Sequence, residues 1–345
     1  MAKRKYSGKR NKIQPSVQTM TVTMPVVAPG VTGTYYVDLS QIASIVNRRF
    51  YRQGINWALS GIKIRSAAGA LGVIAVSKLP NTWVMSNAWE KSMRTWTRMN
   101  REALAENESV RPKFLDYKIY ADAGHHEAGY AANLLPIDLN GVAATPGEWI
   151  ASKVSVPLVS PAGGFLPGET TERELIAVGA NYTGVSPATG FNAVSLIEGY
   201  AASRGLPNIA DPNTPDDAND IGGGTPENWL TAIFNEGTDQ KSDVISDMIS
   251  ENDIAPYPFE NDGVNLDTMY PGGANQLATL QPHDIENITG TTIGGTTRLK
   301  GGNFPCGLMR FDFLNEALDA QGLNIQLEFI PGSHRGYLCE PMTEM

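Results

Sequence analysis

The feature that most constrains the fold of this chain is a series of short apolar runs separated by stretches rich in glycine and proline. Residues 17–27 are the clearest example, because Met20, Val22 and Met24 alternate with threonines, as residues of a half-buried strand do. With 35 glycines, 22 prolines and 18% charged residues, the composition favours strands and turns over long surface helices. The sequence therefore predicts a mainly β protein.

The positions of the strand-like runs predict an architecture. They fall at residues 17–27, 33–37, 55–65, 71–79, 114–121, 149–159, 174–179, 193–201, 307–314 and 323–330. These ten runs come close in number to the eight strands of a single jelly roll, an antiparallel β-sandwich with two sheets. Up-and-down barrels and other sandwiches remain open from the pattern alone.

The sequence changes to a helical period just after the second run. Apolar residues recur at helical spacing between Leu39 and Phe50, and Asp38 is in position to cap the N-terminus of a short helix. We expect the last turn of this helix, where positive charge suits the helix dipole, to hold Arg48, Arg49 and Arg52.

A second and longer helix is predicted from Asn87 to Glu106. Asn87 and Glu90 form a plausible capping box, and the apolar face would hold Trp89, Met93 and Trp96. The opposite face carries Lys91, Arg94, Arg98 and Arg101. Such a stripe is typical of a solvated face, and binding of phosphate is the alternative.

Charge is unevenly distributed along the chain. Residues 1–118 carry a balance of +13 and the remaining residues a balance of -22, which together give the net charge of -9. Such asymmetry indicates a nucleic-acid-facing end and an acidic surface elsewhere.

The positive charge begins in the first residues, which show no apolar periodicity. We predict that residues 1–16 form a disordered basic arm, followed by a jelly-roll domain of residues 17–345. The residues predicted to bind nucleic acid are Lys3, Arg4, Lys5, Lys9, Arg10 and Lys12. Predicted secondary contacts are Arg48, Arg49 and Arg52. The alternative role of the arm is that of a solubilising tail or a nuclear-localisation signal.

Much of the negative charge falls in residues 206–300, a stretch rich in Gly, Pro, Asn, Asp and Thr. Fourteen acidic residues lie between Asp211 and Asp267, against the single base Lys241. We predict a loop-rich acidic insertion that faces outward. Its carboxylates are hard ligands of the kind that calcium takes, but their order differs from that of an EF-hand, so a solvated loop is the preferred interpretation.

The sequence contains none of the common motifs for enzyme chemistry. There is no GxxxxGK[ST], no GxGxxG after a strand, no GxSxG and no HExxH. His125, His126 and Glu127 lack the spacing of zinc ligands, and Cys306 and Cys339 are too few for a disulfide framework or a zinc site. We therefore expect no catalytic residues, no metal and no cofactor. No apolar run has the length of a membrane span, and no membrane association is predicted.

The first third of the chain resembles a family of viral coat proteins. The segments YYVDLSQIASIVNRRFYRQGINWALSGIKI, GVIAVSKLPNTWVMSNAWEKSMRTWTRMN and KFLDYKIYADAGHH are similar to capsid proteins of circular, Rep-encoding single-stranded DNA (CRESS-DNA) viruses, of the bacilladnavirus-like marine type. The resemblance covers roughly residues 30–126. Beyond it, only composition and strand rhythm are shared.

The resemblance implies a single jelly roll that assembles with copies of itself into an icosahedral shell. The arm would point inward and hold viral single-stranded nucleic acid, with DNA favoured over RNA. The protein would then occur in the virion and, during assembly, inside the host cell, with the nucleus left open as the compartment. The arm is shorter than is usual in the family.

Two other functions remain open from the sequence. One is a non-viral β-sandwich that binds carbohydrate or protein through its acidic loops. The other is an enzyme on a β scaffold, which would require two carboxylates to converge in a cleft.

Overall fold

Two four-stranded antiparallel sheets form a β-sandwich in the computed structural model of the chain, which describes residues 16–105, 109, 115–160, 164–203, 229–233, 279–289 and 295–345. The eight strands of the sandwich are β1 (Thr19–Val27), β2 (Thr32–Asp38), β3 (Ile55–Ser66), β4 (Gly72–Lys78), β8 (Gln281–Ile288), β9 (Thr296–Phe304), β10 (Leu308–Asn315) and β11 (Gln321–Phe329). The intervening numbers belong to the strands of an insertion.

The strand order is that of a jelly roll. The first sheet has the order β1-β11-β3-β9 and the second β2-β10-β4-β8. A further short strand, Cys339–Pro341, extends the first sheet by pairing with the start of β3. Successive strands cross from one sheet to the other, except at β4 and β8, which are neighbours in the second sheet. The predicted fold class is therefore confirmed.

The alternation seen in the sequence places apolar side chains between the two sheets. On β1, Met20, Val22 and Met24 are buried, and their outward neighbours are threonines. The same core contains buried side chains from all of the central strands, among them Trp57, Ile62, Ile64, Ile74, Val76, Phe311, Phe313, Ile325 and Leu327. Burial of this apolar set holds the sheets face to face.

Because neighbouring strands are antiparallel, the connections between strands lie at two opposite ends of the sandwich. One end, here called the loop end, carries the short connections at residues 28–31, 67–71, 289–295 and 316–320. The other is called the entry end, because the chain enters β1 there. It carries helix α1 (Leu39–Asn47), a long insertion between β4 and β8, the turn Pro305–Gly307 and the C-terminal segment after β11.

The insertion has a core of its own that rests on the second sheet. It contains helices α2 (Trp83–Ala103), α3 (Ala123–Ala128), α4 (Leu196–Ser203) and α5 (Trp229–Ala232), and a three-stranded sheet of β5 (Lys153–Ser160), β6 (Gly164–Ile176) and β7 (Asn192–Ser195). Trp89 and Trp96 of α2 pack there with Tyr117 and Trp229. Tyr36 of β2 and Leu308 of β10 belong to the same cluster, so the insertion covers part of the sandwich.

Four runs that were predicted as strands of the sandwich lie outside it, and part of the predicted loop-rich insertion belongs to it. The runs at 149–159, 174–179 and 193–201 contribute to the separate sheet of the insertion and to α4, while 114–121 has only an isolated bridge between Tyr120 and Ile176. The last part of the predicted acidic insertion, residues 281–288 and 296–304, instead forms β8 and β9 of the sandwich. β8 is an edge strand whose one buried residue is Ile288, so its sequence carries almost no apolar alternation.

The two predicted helices form, with altered ends. Asp38 caps α1 as expected, by accepting hydrogen bonds from the backbone N–H groups of Ser40 and Gln41. Helix α2 begins a turn earlier than predicted, at Trp83, because Thr82 is its cap and accepts from the Met85 N–H at 3.3 Å. The predicted capping box of Asn87 and Glu90 is therefore wrong.

Candidate nucleic-acid interface

The point at which the chain enters the sandwich is held by α1 and the C-terminal segment. The backbone N–H of Val17 donates to Oδ1 of Asn47, the last residue of α1, at 3.0 Å. The hydroxyl of Tyr337 donates to the Val17 carbonyl at 2.6 Å and accepts from Nδ2 of Asn47 at 2.8 Å. These bonds fix Val17, the second described residue, beside the C-terminal end of α1.

The predicted arm cations, Lys3, Arg4, Lys5, Lys9, Arg10 and Lys12, lie outside the described residues. Covalent geometry still limits where they can reach, since an extended chain spans at most about 3.6 Å per residue. Lys12 precedes Val17 by five residues and so stays within about 18 Å of it. Of the arm charges, Lys12 is therefore tethered closest to the end of α1, whereas Lys3 can lie up to about 50 Å from Val17.

That end of α1 carries the predicted secondary contacts. Arg48 is the C-cap in the left-handed conformation, with φ 51°, and its N–H donates to the Ser44 carbonyl. The last turn of α1 contains no basic residue, so the expectation that the arginines interact with the dipole from within that turn is wrong. They follow the helix instead, in the turn that leads to β3.

The three arginines are not equally available. Arg48 and Arg52 are exposed, and the Arg52 side chain retains 56% of its accessible surface. Arg49 is half-buried, and its Nη1 is buried without a hydrogen-bond partner among the described residues. Its charge lies close to Tyr51, whose pKa is raised by burial in spite of the Arg49 and Arg335 charges that lower it. Arg49 is therefore less accessible to a ligand than Arg48 and Arg52, and its side chain packs within the turn.

Tertiary structure adds two cations that the sequence did not indicate. Lys118 approaches from the insertion, with Nζ 5.8 Å from the centroid of the Phe50 ring and 4.6 Å from that of Trp149. Arg335 approaches from the C-terminal segment, where its guanidinium donates to the Phe50 carbonyl. The guanidinium of Arg52 lies 5.6 Å from the same ring. We call Arg48, Arg49, Arg52, Lys118 and Arg335, grouped around Phe50, the entry cluster.

Within the described residues, Asp116 is the one carboxylate that lies within 4.0 Å of a cation of the entry cluster. Asp116 is buried to 3% side-chain exposure and lies 3.6 Å from Lys118 Nζ and 4.0 Å from Arg52 Nη1. Burial raises its pKa, and the charges of Lys118 and Arg52 oppose that rise. One carboxylate facing five cations leaves an excess of positive charge beside the chain entry, in a protein whose net charge is -9.

A buried hydrogen-bond network beneath the cluster fixes α1 against the insertion. Oδ2 of Asp38 accepts from Gln53 at 3.0 Å and from the Trp149 indole at 2.9 Å. Gln53 also accepts from the Ile119 N–H at 2.7 Å. Burial raises the pKa of Asp38 to about 6, although its hydrogen bonds favour the charged form. The network gives the cluster a rigid base.

No family model, curated protein or solved structure matches this chain. The interpretation of the site therefore depends on its own geometry.

In the basic stripe on α2, two of the cations form ion pairs with acidic residues of the same helix. Arg94 pairs with Glu90 at 2.5 Å and Arg98 with Glu102 at 2.8 Å, one helical turn away in each case. All four cations of the stripe are exposed. Their compensation favours the solvated-face interpretation and makes this stripe a suitable control for charge substitutions elsewhere.

The two neighbouring histidines are occupied by protein partners. The ring of His125 bonds to the Asn133 side chain at 2.9 Å and to the Ala121 N–H at 3.1 Å, and burial lowers its pKa to about 4. His126 bonds to Glu174 at 2.9 Å. The part of the chain that the structure describes contains no group of three or more candidate metal ligands. The acidic residues 211–220 lie outside it.

Within the described ranges, no helix is both long and apolar enough to cross a membrane.

Proposed function

We propose that this protein is the coat protein of a small virus, and that it assembles with copies of itself into a closed icosahedral shell around single-stranded nucleic acid. The observation that carries the proposal is the position of the entry cluster, which lies beside Val17, where the predicted basic arm joins the jelly-roll sandwich. The jelly roll by itself is shared with lectins and cupins. The combination with a basic arm and cluster favours a shell that holds a polyanion.

The arm and the cluster have complementary properties for this task. The arm carries six cations within residues 1–12 and no acidic residue. The cluster adds cations on a rigid support, beside the Phe50 ring. Single strands are commonly bound by such pairing of backbone-tracking charge with an aromatic side chain, without sequence preference. DNA is favoured over RNA only by the resemblance of residues 30–126 to CRESS-DNA virus capsids, since charge does not distinguish the sugars.

Electron microscopy of the purified full chain tests the proposal. We expect uniform closed particles, and nucleic acid inside them that resists nuclease until the particles are dissociated. A monodisperse monomer over a range of salt concentration and pH would contradict shell formation and favour a β-sandwich that binds carbohydrate or protein.

A further inference from the structure

We infer that the outward face of the first sheet is a second nucleic-acid surface, which binds the phosphate backbone of the packaged strand. This inference rests on the proposed function and specifies which side of the subunit faces the packaged strand. The surface comes from the strand register and includes none of the arm or entry-cluster residues.

The register of the first sheet aligns its outward residues in three rows. The rows, written from β1 to β9, are Thr23, Asn324, Arg65 and Thr296, then Thr21, Gln326, Lys63 and Arg298, and last Thr19, Glu328, Gly61 and Lys300. Every position is polar or glycine. All of the cations lie on β3 and β9, and the β1 side carries only threonine. We call these rows the basic face.

Two of the four cations of the basic face, Arg65 and Arg298, have no acidic partner among the described residues. Lys63 pairs with Glu328, and Lys300 lies 3.5 Å from Asp284 of β8. Arg65 bonds to the neutral Gln326 at 2.6 Å, and Arg298 has no ion-pair partner among the described residues. Arg65, Arg298 and Lys300 are exposed. By contrast, the outward face of the second sheet has Arg310 paired with Asp312 at 3.0 Å.

The arrangement of these cations is unfavourable for folding and suits a polyanion. Lys63 and Arg298 are directly opposite each other in the β3 and β9 ladder, a position in which like charges destabilise a sheet. Cations two residues apart on one strand are separated by roughly 7 Å, a spacing comparable with that of successive phosphates on an extended strand. No aromatic side chain lies in the three rows. The face can therefore contact phosphates without stacking on bases.

The test compares two variants of the full chain that lose the same charge. One carries Arg65→Gln, Arg298→Gln and Lys300→Gln on the basic face. The matched control carries Arg94→Gln, Arg98→Gln and Arg101→Gln on α2. Both are checked for folding by thermal unfolding, and the basic-face variant should unfold no earlier than the parent, because it relieves like-charge repulsion.

Binding of a homopolymeric single strand is then measured against salt concentration, with unassembled chain. Each phosphate contact contributes about -0.7 to the slope of log affinity against log salt, so the basic-face variant should lose about 2 from that slope. The control should leave it unchanged. Inorganic polyphosphate, which has no bases, should compete with the single strand on the parent chain. It should compete less effectively on the basic-face variant, which retains only the arm and the entry cluster.

An unchanged slope in the basic-face variant would overturn the inference, as would failure of polyphosphate to compete. If binding is unaffected and only the salt dependence of particle assembly changes, the face binds an acidic segment of another copy, which also overturns it. Shell formation is scored separately by electron microscopy. Absence of shells would therefore contradict the proposed function without deciding the titration.

Discussion

Asp38 shows how one residue can serve both the fold and the candidate site. Its Oδ1 caps α1, and its Oδ2 connects the helix to Gln53 and to Trp149 of the insertion. The arginines of the entry cluster follow directly from that helix. A change in the charge of Asp38 should therefore alter the stability of the junction between α1 and the insertion.

A pH titration measures the effect of burying Asp38. Its pKa is raised from 3.8 to about 6 in the folded protein, so the folded state holds the proton more tightly than the unfolded state. Stability contributed by this group is complete below pH 3.8 and is lost as pH rises through 6. At 1.36 kcal/mol per pKa unit, the loss approaches about 3 kcal/mol by pH 7.

The measurement is the free energy of unfolding in urea for the parent and for Asp38→Asn, from pH 4 to pH 7. The variant should be less stable throughout, because an amide has one acceptor oxygen and cannot replace both Oδ1, which caps α1, and Oδ2, which accepts from Gln53 and Trp149. The difference between the two proteins should shrink as pH rises. A difference that grows with pH would mean that the hydrogen bonds to the carboxylate outweigh its desolvation.

The exposed arginines of the entry cluster can be tested in the same way as the basic face. Arg48→Gln with Arg52→Gln should reduce the salt slope of single-strand binding by about 1.4, at -0.7 per contact, and weaken all sequences about equally. Arg94→Gln with Arg98→Gln is the matched control. An effect of equal size in the control would indicate a general influence of net charge and no local site.

At the scale of elements, α2 is the helix whose packing the sequence predicted best. Trp89 and Trp96 are buried as expected, and the Trp96 ring lies 5.4 Å from that of Tyr117. Its cap was missed because Thr82 comes only three residues after the strand-like run 71–79, where a helix start is hard to distinguish from a turn. The apolar period of a helix is thus easier to recognise than its ends.

Substitution of Trp96 measures how much this packing contributes. Trp96 is 7% exposed, so Trp96→Ala should lower the free energy of unfolding by about 3 to 5 kcal/mol through loss of apolar contact and creation of a cavity. Arg101→Ala, on the exposed face of the same helix, should change it by less than about 0.5 kcal/mol. A loss below about 1 kcal/mol for Trp96→Ala would contradict the buried position of the indole.

At the scale of the whole molecule, folding and cargo binding should be separable. The contacts that close the sandwich come from residues after Val17, so deletion of residues 1–14 should leave the thermal unfolding midpoint and particle formation intact. The nucleic-acid content of the particles should fall. Six arm contacts correspond to a salt slope of about -4, which the deletion should remove from single-strand binding.

Particle yield, nucleic-acid content and the salt slope are measured together for the deletion and for a full-length chain in which the six arm cations are replaced by glutamine. The two proteins should behave alike. Loss of folding in the deletion alone would show that the arm has a structural role. An unchanged slope in both would leave the entry cluster and the basic face as the sites of binding.

Local patterns in the sequence were sufficient to predict the β class, the first four strands, the last two strands, the cap of α1 and the buried face of α2. These depend on local properties, namely the period of apolar residues and the chemistry of one cap. Tertiary structure alone decided which strands complete the sandwich. β8 and β9 lie at the edges of their sheets and bury too few residues to show a period, whereas strands of the insertion show one because they line a second core.

The candidate site also combines residues that the sequence indicates with residues that only the tertiary structure brings together. The run of arginines after α1 is visible in the sequence, and so is the arm. Lys118 and Arg335 join the cluster only because the insertion and the C-terminal segment return to the entry end of the sandwich. The basic face depends on the register between β3 and β9, whose residues lie more than 200 positions apart. Such proximity is set by long-range pairing, which no local pattern of residues encodes.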